Sequence, residues 1–139
     1  MFMMNIATEE MNEMLKTAQT IAIVGLSDNP MRTSYQVAQE MQAKGYRIIP
    51  VNPTIDESLG VPAVASLLDI ESAVDIVNVF RRPEYLFSVA EETVKAGFPF
   101  FWAQLGIEDQ ETYDYLTKHE VKTVMNRCIQ VEHARLKRS

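Results

Sequence analysis

The sequence has few cysteines, few basic residues and no long apolar run, and each of these shortages excludes a class of protein. Its single cysteine, Cys128, excludes an intramolecular disulfide framework and fits a reducing compartment. No secretory signal and no uninterrupted apolar stretch of bilayer length is present. Basic residues are outnumbered, with 13 Lys and Arg against 19 Asp and Glu, and the net charge of −6 disfavours non-specific binding to nucleic acid or anionic membranes. We therefore expect a cytoplasmic protein in which any anionic ligand needs a local positive site.

Apolar runs and helical patterns alternate along the chain. With 139 residues, 47% of them hydrophobic, the chain can bury one ordinary core, and we expect a single domain over residues 1–139. The alternation predicts an α/β, Rossmann-like three-layer sandwich with a mainly parallel sheet of five or six strands. The predicted strands are residues 21–24, 47–51, 74–80, 98–103 and 121–125, and the predicted helices are residues 35–44, 84–96 and 109–118.

Two segments fit this alternation less directly. Residues 1–20 contain methionine, isoleucine and leucine at helical spacing, which predicts a helical extension that packs against the sheet or a partner. Residues 53–70 contain two prolines and a glycine, with a possible edge strand at 61–64 and a helical turn at 66–69. The edge strand would be the sixth of the sheet.

The loop "VGLSDNP" after the first predicted strand has only the first glycine of a dinucleotide fingerprint. Gly25 is present, but Ser27 and Pro30 occupy the other two glycine positions of G-x-G-x-x-G. The second strand ends at Asn52-Pro53 without the acidic residue that binds the ribose of NAD. An NAD(P)-binding oxidoreductase, or a fragment of one, is therefore the alternative interpretation, and the Walker phosphate-binding motif is absent.

The same loop can still bind phosphate. Gly25 permits a tight turn, Ser27 supplies a hydroxyl and Arg32 supplies a positive charge. Thr33 and Gln36 have the spacing of a capping box, which would open a helix whose first N–H groups attract an anion. An ordinary turn followed by an ordinary helix cap accounts for these residues equally well.

Further polar and basic residues follow the other predicted strands. Because ligands of open α/β sheets bind beyond the carboxyl ends of the strands, these residues are candidates for the same site. Arg81 and Arg82 directly follow the strand "DIVNVF", and the forked guanidinium group suits phosphate. The weaker candidates are Asn52 and Pro53 after the second strand, and Gln104 and Gly106 after the fourth.

Four motifs in this order resemble one known family. The segments "IAIVGLSDNPMRTSYQVAQEMQAKGYRIIPVNP", "VDIVNVFRRPE", "WAQLGI" and "NRCIQVEH" together resemble the stand-alone CoA-binding domain proteins, over about residues 15–135. That family is similar to the CoA-binding Rossmann domain of the succinyl-CoA synthetase alpha subunit. The resemblance implies coenzyme A or an acyl-CoA as the ligand. The resemblance implies that the ligand-binding residues are Gly25, Ser27, Pro30, Arg32, Ser34, Asn52, Pro53, Arg81 and Arg82.

The resemblance does not extend to catalysis. The phosphorylated histidine of the CoA ligases lies in a separate domain, and neither His119 nor His133 stands in a catalytic pattern. We find no paired carboxylates and no metal-ligand spacing, so we expect a non-catalytic binding or regulatory protein. Cys128 is either a small packing residue or a thiol that forms a mixed disulfide with CoA. A protein partner and a homo-oligomer are both left open.

The interpretation of the loop after the first strand gives a first prediction. A variant with glycine at positions 27 and 30 restores the fingerprint, but its second strand still lacks the acidic residue that binds ribose. We expect no tight binding of NAD to this variant in isothermal titration calorimetry. Tight NAD binding would show that the glycines alone had been missing, and would favour the oxidoreductase alternative.

Overall fold

The computed structural model describes residues 5–138 and confirms the α/β fold. Its helices and strands alternate along the chain as α1 (Thr8–Thr17), β1 (Thr20–Val24), α2 (Thr33–Ala43), β2 (Arg47–Val51), β3 (Glu57–Ser58), β4 (Val61–Pro62), β5 (Ile76–Val79), α3 (Leu86–Ala96), β6 (Phe100–Ala103), α4 (Gln110–Lys118), β7 (Lys122–Val124) and α5 (Ile129–Ala134). Short 3-10 helices occupy Leu67–Asp69, Pro83–Tyr85 and Arg135–Arg138. None of the described helices is long and apolar enough to cross a membrane.

The main sheet has five parallel strands in the order β2-β1-β5-β6-β7. The chain moves from β1 to β2 in one direction and then returns to place β5 on the other side of β1. The strand order therefore reverses between β1 and β5, which is where open α/β sheets bind ligands.

The predicted edge strand at 61–64 is reduced to a single bridge. Val61–Pro62 instead pairs with Glu57–Ser58 in a small antiparallel hairpin. Only Val64 reaches the main sheet, where it pairs in parallel with Val51 at the outer side of β2. The hairpin uses the residues that a longer edge strand would need, so the sheet has five full strands and the start of a sixth.

Side chains of alternate strand residues form two separate cores. In β1, Ala22 and Val24 pack with the core under α3 and α4, whereas Ile21 and Ile23 pack with the core under α1, α2 and α5. This alternation follows from the two-residue period of a strand, and burial on both faces explains the continuous apolar runs. The sheet is thus the middle layer of three.

The amino-terminal helix covers less of the chain than predicted. The prediction spanned residues 1–20, of which 1–4 lie outside the described residues, and α1 occupies Thr8–Thr17. Its buried side chains are Met11 and Leu15, and the Tyr46 hydroxyl donates a hydrogen bond to the carbonyl of Leu15. The helix therefore packs on the sheet through its apolar stripe, as an amphipathic helix does.

Gly25 directly follows β1 and lies against Phe80, the residue that follows β5. Its φ is +88°, and a Cβ added to it would lie 2.6 Å from the carbonyl oxygen of Phe80. Gly106 has almost the same φ, +86°, but no heavy atom lies within 4 Å of the equivalent Cβ position. Gly25 is thus required by a close backbone contact as well as by its conformation.

This pair of glycines provides a matched test. Gly106→Ala introduces the strain of a left-handed alanine, about 1–2 kcal/mol, without a clash. Gly25→Ala introduces the same strain and also pushes a methyl group into the Phe80 carbonyl, which we expect to cost about 1–3 kcal/mol more. Urea unfolding of both variants measures the difference, and equal losses of stability would contradict the close contact.

His133 in α5 is half-buried and lines a cavity together with residues from the ends of α1 and α2. Its ring meets the Tyr46 ring edge-on, with centroids 5.5 Å apart. Within the described residues its buried Nδ1 atom has no hydrogen-bond partner. Burial lowers the pKa of His133 below its usual 6.5, and the positive charge of Lys44 lowers it further. The fold therefore favours the neutral imidazole.

This shift predicts a pH dependence of stability. As pH falls below about 6.5, the unfolded chain takes up a proton at His133 while the folded chain does not, so the free energy of unfolding falls until the lower folded pKa is reached. His133→Phe keeps a ring against Tyr46 but cannot titrate, and we expect a weaker loss of stability between about pH 7 and pH 5. Urea unfolding across that range measures it, with His119→Gln as the control. An unchanged pH profile in His133→Phe would be contrary to this account.

Candidate functional site

A cavity opens at the carboxyl ends of β1 and β2, next to the point where the strand order reverses. Its volume is about 660 Å³. Among the residues predicted for the site, five line it: Gly25, Ser27, Arg32, Ser34 and Asn52. The other lining residues are Asp28, Met31, Thr33, Thr54, Ile55 and Phe80. The fold therefore assembles the first two predicted loops into one polar cavity.

Ser27 organises the loop between β1 and α2. Its N–H donates to the hydroxyl oxygen of Ser34 at 3.0 Å, and its own hydroxyl oxygen accepts from the N–H of Asn29 at 2.9 Å. Its carbonyl accepts from the Ser58 hydroxyl at 2.8 Å. In both Ser27 and Ser34 the hydroxyl oxygen acts as an acceptor in these bonds, so each hydroxyl hydrogen can still be donated to a ligand.

The predicted capping box of Thr33 and Gln36 is wrong. The helix begins at Thr33 itself, the residue before it is Arg32, and the structure gives that N-cap no side-chain hydrogen bond. Gln36 instead donates through Nε2 to the carbonyl of Pro30 at 3.2 Å. Sequence spacing could not reveal this, because the loop folds back on the first turn of the helix and uses its side chains there.

The start of α2 consequently keeps free N–H groups. The first helical hydrogen bond runs from the N–H of Gln36 to the carbonyl of Arg32, at 3.1 Å. Within residues 5–138, the N–H groups of Thr33, Ser34 and Tyr35 have no acceptor. Thr33 and Ser34 line the cavity, so a helix N-terminus with unpaired donors forms part of its wall.

Asn52 joins the second loop to the first. Its Nδ2 donates to the carbonyl of Leu26 at 3.0 Å, and its Oδ1 accepts from the N–H and the hydroxyl of Thr54 at 2.9 and 2.7 Å. Most of its hydrogen-bonding capacity therefore serves to hold the wall of the cavity. Pro30 and Pro53 are exposed in the two loops and flank the cavity without lining it.

The two predicted arginines occupy different environments. Arg81 is partly buried, its Cδ lies 3.2 Å from the position of a Cβ on Gly25, and its guanidinium lies 4.6 Å from the centre of the Tyr85 ring. The Arg82 side chain is 78% exposed and lies 3.7 Å from the Glu84 carboxylate. Arg81 is thus held beside the cavity, whereas Arg82 extends into solvent.

The structure does not bring Gln104 and Gly106 into the cavity. The side chain of Gln104 is buried, and its Oε1 accepts from Asn78 Nδ2 and from the N–H of Ile129, both at 3.2 Å. The N–H of Gly106 donates to Asn126 Oδ1 at 2.7 Å. These contacts connect β5, β6 and the start of α5, so Gln104 and Gly106 have structural partners at the same edge of the sheet.

Sequence reasoning missed several residues of the site. Thr54 and Ile55 line the cavity and directly follow Asn52-Pro53. Their position in the loop after the second strand could therefore have identified them as candidates. Ser58 had no such signal, because it contacts Ser27 across 31 positions of the chain. Phe80 lines the cavity as the last residue before Arg81, at the carboxyl end of β5.

Comparison with known proteins gives consistent matches. The chain is 52% identical over 132 residues to the "Uncharacterized protein YneT" of Bacillus subtilis (strain 168), covering 95% of this chain and 98% of that protein. It is 28% identical over 79 residues to the "Acetate--CoA ligase [ADP-forming]" of Methanocaldococcus jannaschii, covering 57% of this chain and 11% of the ligase. A solved structure, "cell-free ID.343 from Thermus thermophilus", superposes with a TM-score of 0.90 at 37% identity, covering 94% of this chain and 99% of the other.

The family model described as "CoA binding domain" matches residues 19–134. This range contains β1 through α5 and every residue that lines the cavity. The resemblance found in the sequence motifs is therefore confirmed, and the chain belongs to the CoA binding domain family.

Proposed function

We propose that this protein binds coenzyme A or an acyl-CoA, with the ligand's pyrophosphate at the start of α2. The observation that supports this most directly is the set of free N–H groups of Thr33, Ser34 and Tyr35 at the start of α2, where Thr33 and Ser34 line the cavity. A helix N-terminus with free donors attracts an anion through those hydrogen bonds and through the helix dipole. Arg32 adds a positive charge at the same wall.

Two hydroxyls complete the proposed phosphate site. The hydroxyl groups of Ser27 and Ser34 face the cavity while their oxygens accept loop hydrogen bonds, so their hydrogens suit phosphate oxygens. Arg81 lies beside Gly25 at the edge of the cavity, where its guanidinium can move from the Tyr85 ring to a phosphate. In a chain of net charge −6, these groups would supply the local positive potential that an anionic ligand needs.

The end of β2 favours CoA over NAD. An NAD site uses a carboxylate there to accept hydrogen bonds from the ribose hydroxyls. Here the position holds Asn52, whose Oδ1 already accepts two hydrogen bonds from Thr54. The family to which the chain belongs is described as a CoA binding domain, and the ligase from M. jannaschii is named for a reaction of CoA, which supports the same ligand.

We infer a binding or regulatory role in the cytoplasm, without catalysis. Among the described residues, no histidine or cysteine lines the cavity, and Asp28 is its one carboxylate. General acid–base catalysis needs a positioned group of that kind, and a serine or threonine hydroxyl of the cavity needs one beside it as a base to act as a nucleophile. Incubation of the protein with CoA and with acetyl-CoA, followed by mass spectrometry, should recover both unchanged, and turnover of either would contradict this inference.

The two arginines allow a matched test of the site. We expect Arg81→Ala to weaken CoA binding about tenfold or more, because a lost hydrogen bond to a charged group costs about 1.5–3 kcal/mol. Arg82→Ala removes a solvated arginine of the same loop, and we expect a much smaller effect. Isothermal titration calorimetry measures both affinities, and circular dichroism verifies that the variants fold.

The same titrations decide between ligand classes. Wild-type protein is titrated with CoA, acetyl-CoA, NAD and NADP under identical conditions, and the two CoA compounds should bind more tightly than either dinucleotide. Tighter binding of NAD or NADP would overturn the proposed function. If CoA binds but both arginine variants retain full affinity, neither arginine contacts the ligand.

A further inference from the structure

The guanidinium group of Arg81 lies over the ring of Tyr85. Its Cζ atom is 4.6 Å from the centre of the ring, which is the geometry of a cation–π contact. Within residues 5–138, the Arg81 side chain has no ion pair and no hydrogen bond, and the carboxylate of Glu84 lies 3.7 Å from Arg82 instead. The N–H donors of the Arg81 guanidinium therefore remain available to an anion.

The Tyr85 ring is the fixed partner in this contact. Tyr85 ends a 3-10 helix, and its N–H donates to the carbonyl of Arg82 at 2.9 Å. Its carbonyl accepts from the Ser88 hydroxyl at 3.1 Å, and the next residue, Leu86, is fully buried at the start of α3. The backbone of Tyr85 is thus anchored on both sides, whereas no other described group holds the guanidinium of Arg81.

The contact keeps the charge of Arg81 outside the cavity. Gly25 and Phe80 line the cavity, but neither Arg81 nor Tyr85 does. The Cδ atom of Arg81 lies 3.2 Å from the position of a Cβ on Gly25. The side chain therefore reaches the rim of the cavity, while its charged end rests on a ring beyond it.

Resting on the proposed function, we propose that Tyr85 is a positioning residue that competes with the ligand's phosphate for Arg81. To contact a phosphate in the cavity, the guanidinium must leave the ring, so binding loses the cation–π contact and gains charge-assisted hydrogen bonds. The exchange favours the phosphate, because a hydrogen bond between charged groups is stronger than an exposed cation–π contact. Tyr85 therefore keeps Arg81 at the rim and lowers the affinity for CoA.

Calorimetry with CoA on variants of Tyr85 tests this proposal. Tyr85→Leu removes the ring, and we expect CoA to bind about twofold to fivefold more tightly, because no exposed cation–π contact is lost on binding. Tyr85→Phe is the matched control, since it keeps a ring under Arg81 and should bind CoA as the wild-type protein does. In an Arg81→Ala background, Tyr85→Leu should not change the affinity, because the ring acts only through that arginine.

Nuclear magnetic resonance follows the contact itself through the Nε–H signal of Arg81. In the free proteins, the wild-type and Tyr85→Leu signals should differ, because the ring shifts the wild-type signal. In the two CoA complexes the signals should coincide, because the guanidinium has left the ring. A difference that persists in the complexes would show that Arg81 stays on Tyr85 with CoA bound, and would overturn the proposal.

The outcomes separate this proposal from the proposed function. If the wild-type protein binds CoA, and Tyr85→Leu binds it equally or more weakly, the competition is wrong and the proposed function stands. If Tyr85→Leu tightens CoA binding even in the Arg81→Ala background, the ring acts on the ligand directly and the competition is again wrong. If the wild-type protein does not bind CoA, the proposed function fails, and the role of Tyr85 fails with it.

Discussion

The close approach of Gly25 to the Phe80 carbonyl determines how the carboxyl edge is built. β1 and β5 are neighbours at the point where the strand order reverses, and the chain must turn out of β1 within van der Waals distance of the end of β5. Only a residue without a side chain fits there, and its positive φ directs the loop toward α2. Arg81 lies beside the same contact, so one backbone constraint links the loop after β1 to the arginine proposed for the site.

Around the loop after β1, some polar groups hold the structure through hydrogen bonds, and others have no partner and remain available to a ligand. Ser27, Ser34, Asn52 and Ser58 exchange hydrogen bonds that tie three segments of the chain together. The N–H groups at the start of α2 are left without acceptors. A preorganised site has this form, because the groups that bind need no rearrangement when the ligand arrives.

Residues that look alike in the sequence have different roles in the fold. Arg81 and Arg82 are adjacent, yet one is held against Gly25 and Tyr85 and the other is exposed beside Glu84. Thr33 and Gln36 have capping-box spacing, but the helix starts without a side-chain cap. Gln104 follows a strand as Asn52 does, and its amide is buried between strands and α5. For Arg81 and Gln104 a contact with a distant segment decided the outcome, and local spacing contains no information about it. For Gln36 the path of the loop decided it, because its side chain donates to the carbonyl of Pro30.

The sequence by itself determined the fold class, the order of the five strands along the chain, the family and the loops that form the site. Buried parallel strands must be continuously apolar, and polar residues directly after them must meet at one edge of the sheet. Short segments of the sequence are therefore enough to predict these properties. The tertiary structure alone decided that β1 lies between β2 and β5, that the α2 donors stay free, and that the Gln104 amide is buried against Asn78 and Ile129. Those features depend on which segments become neighbours, and long-range packing sets that.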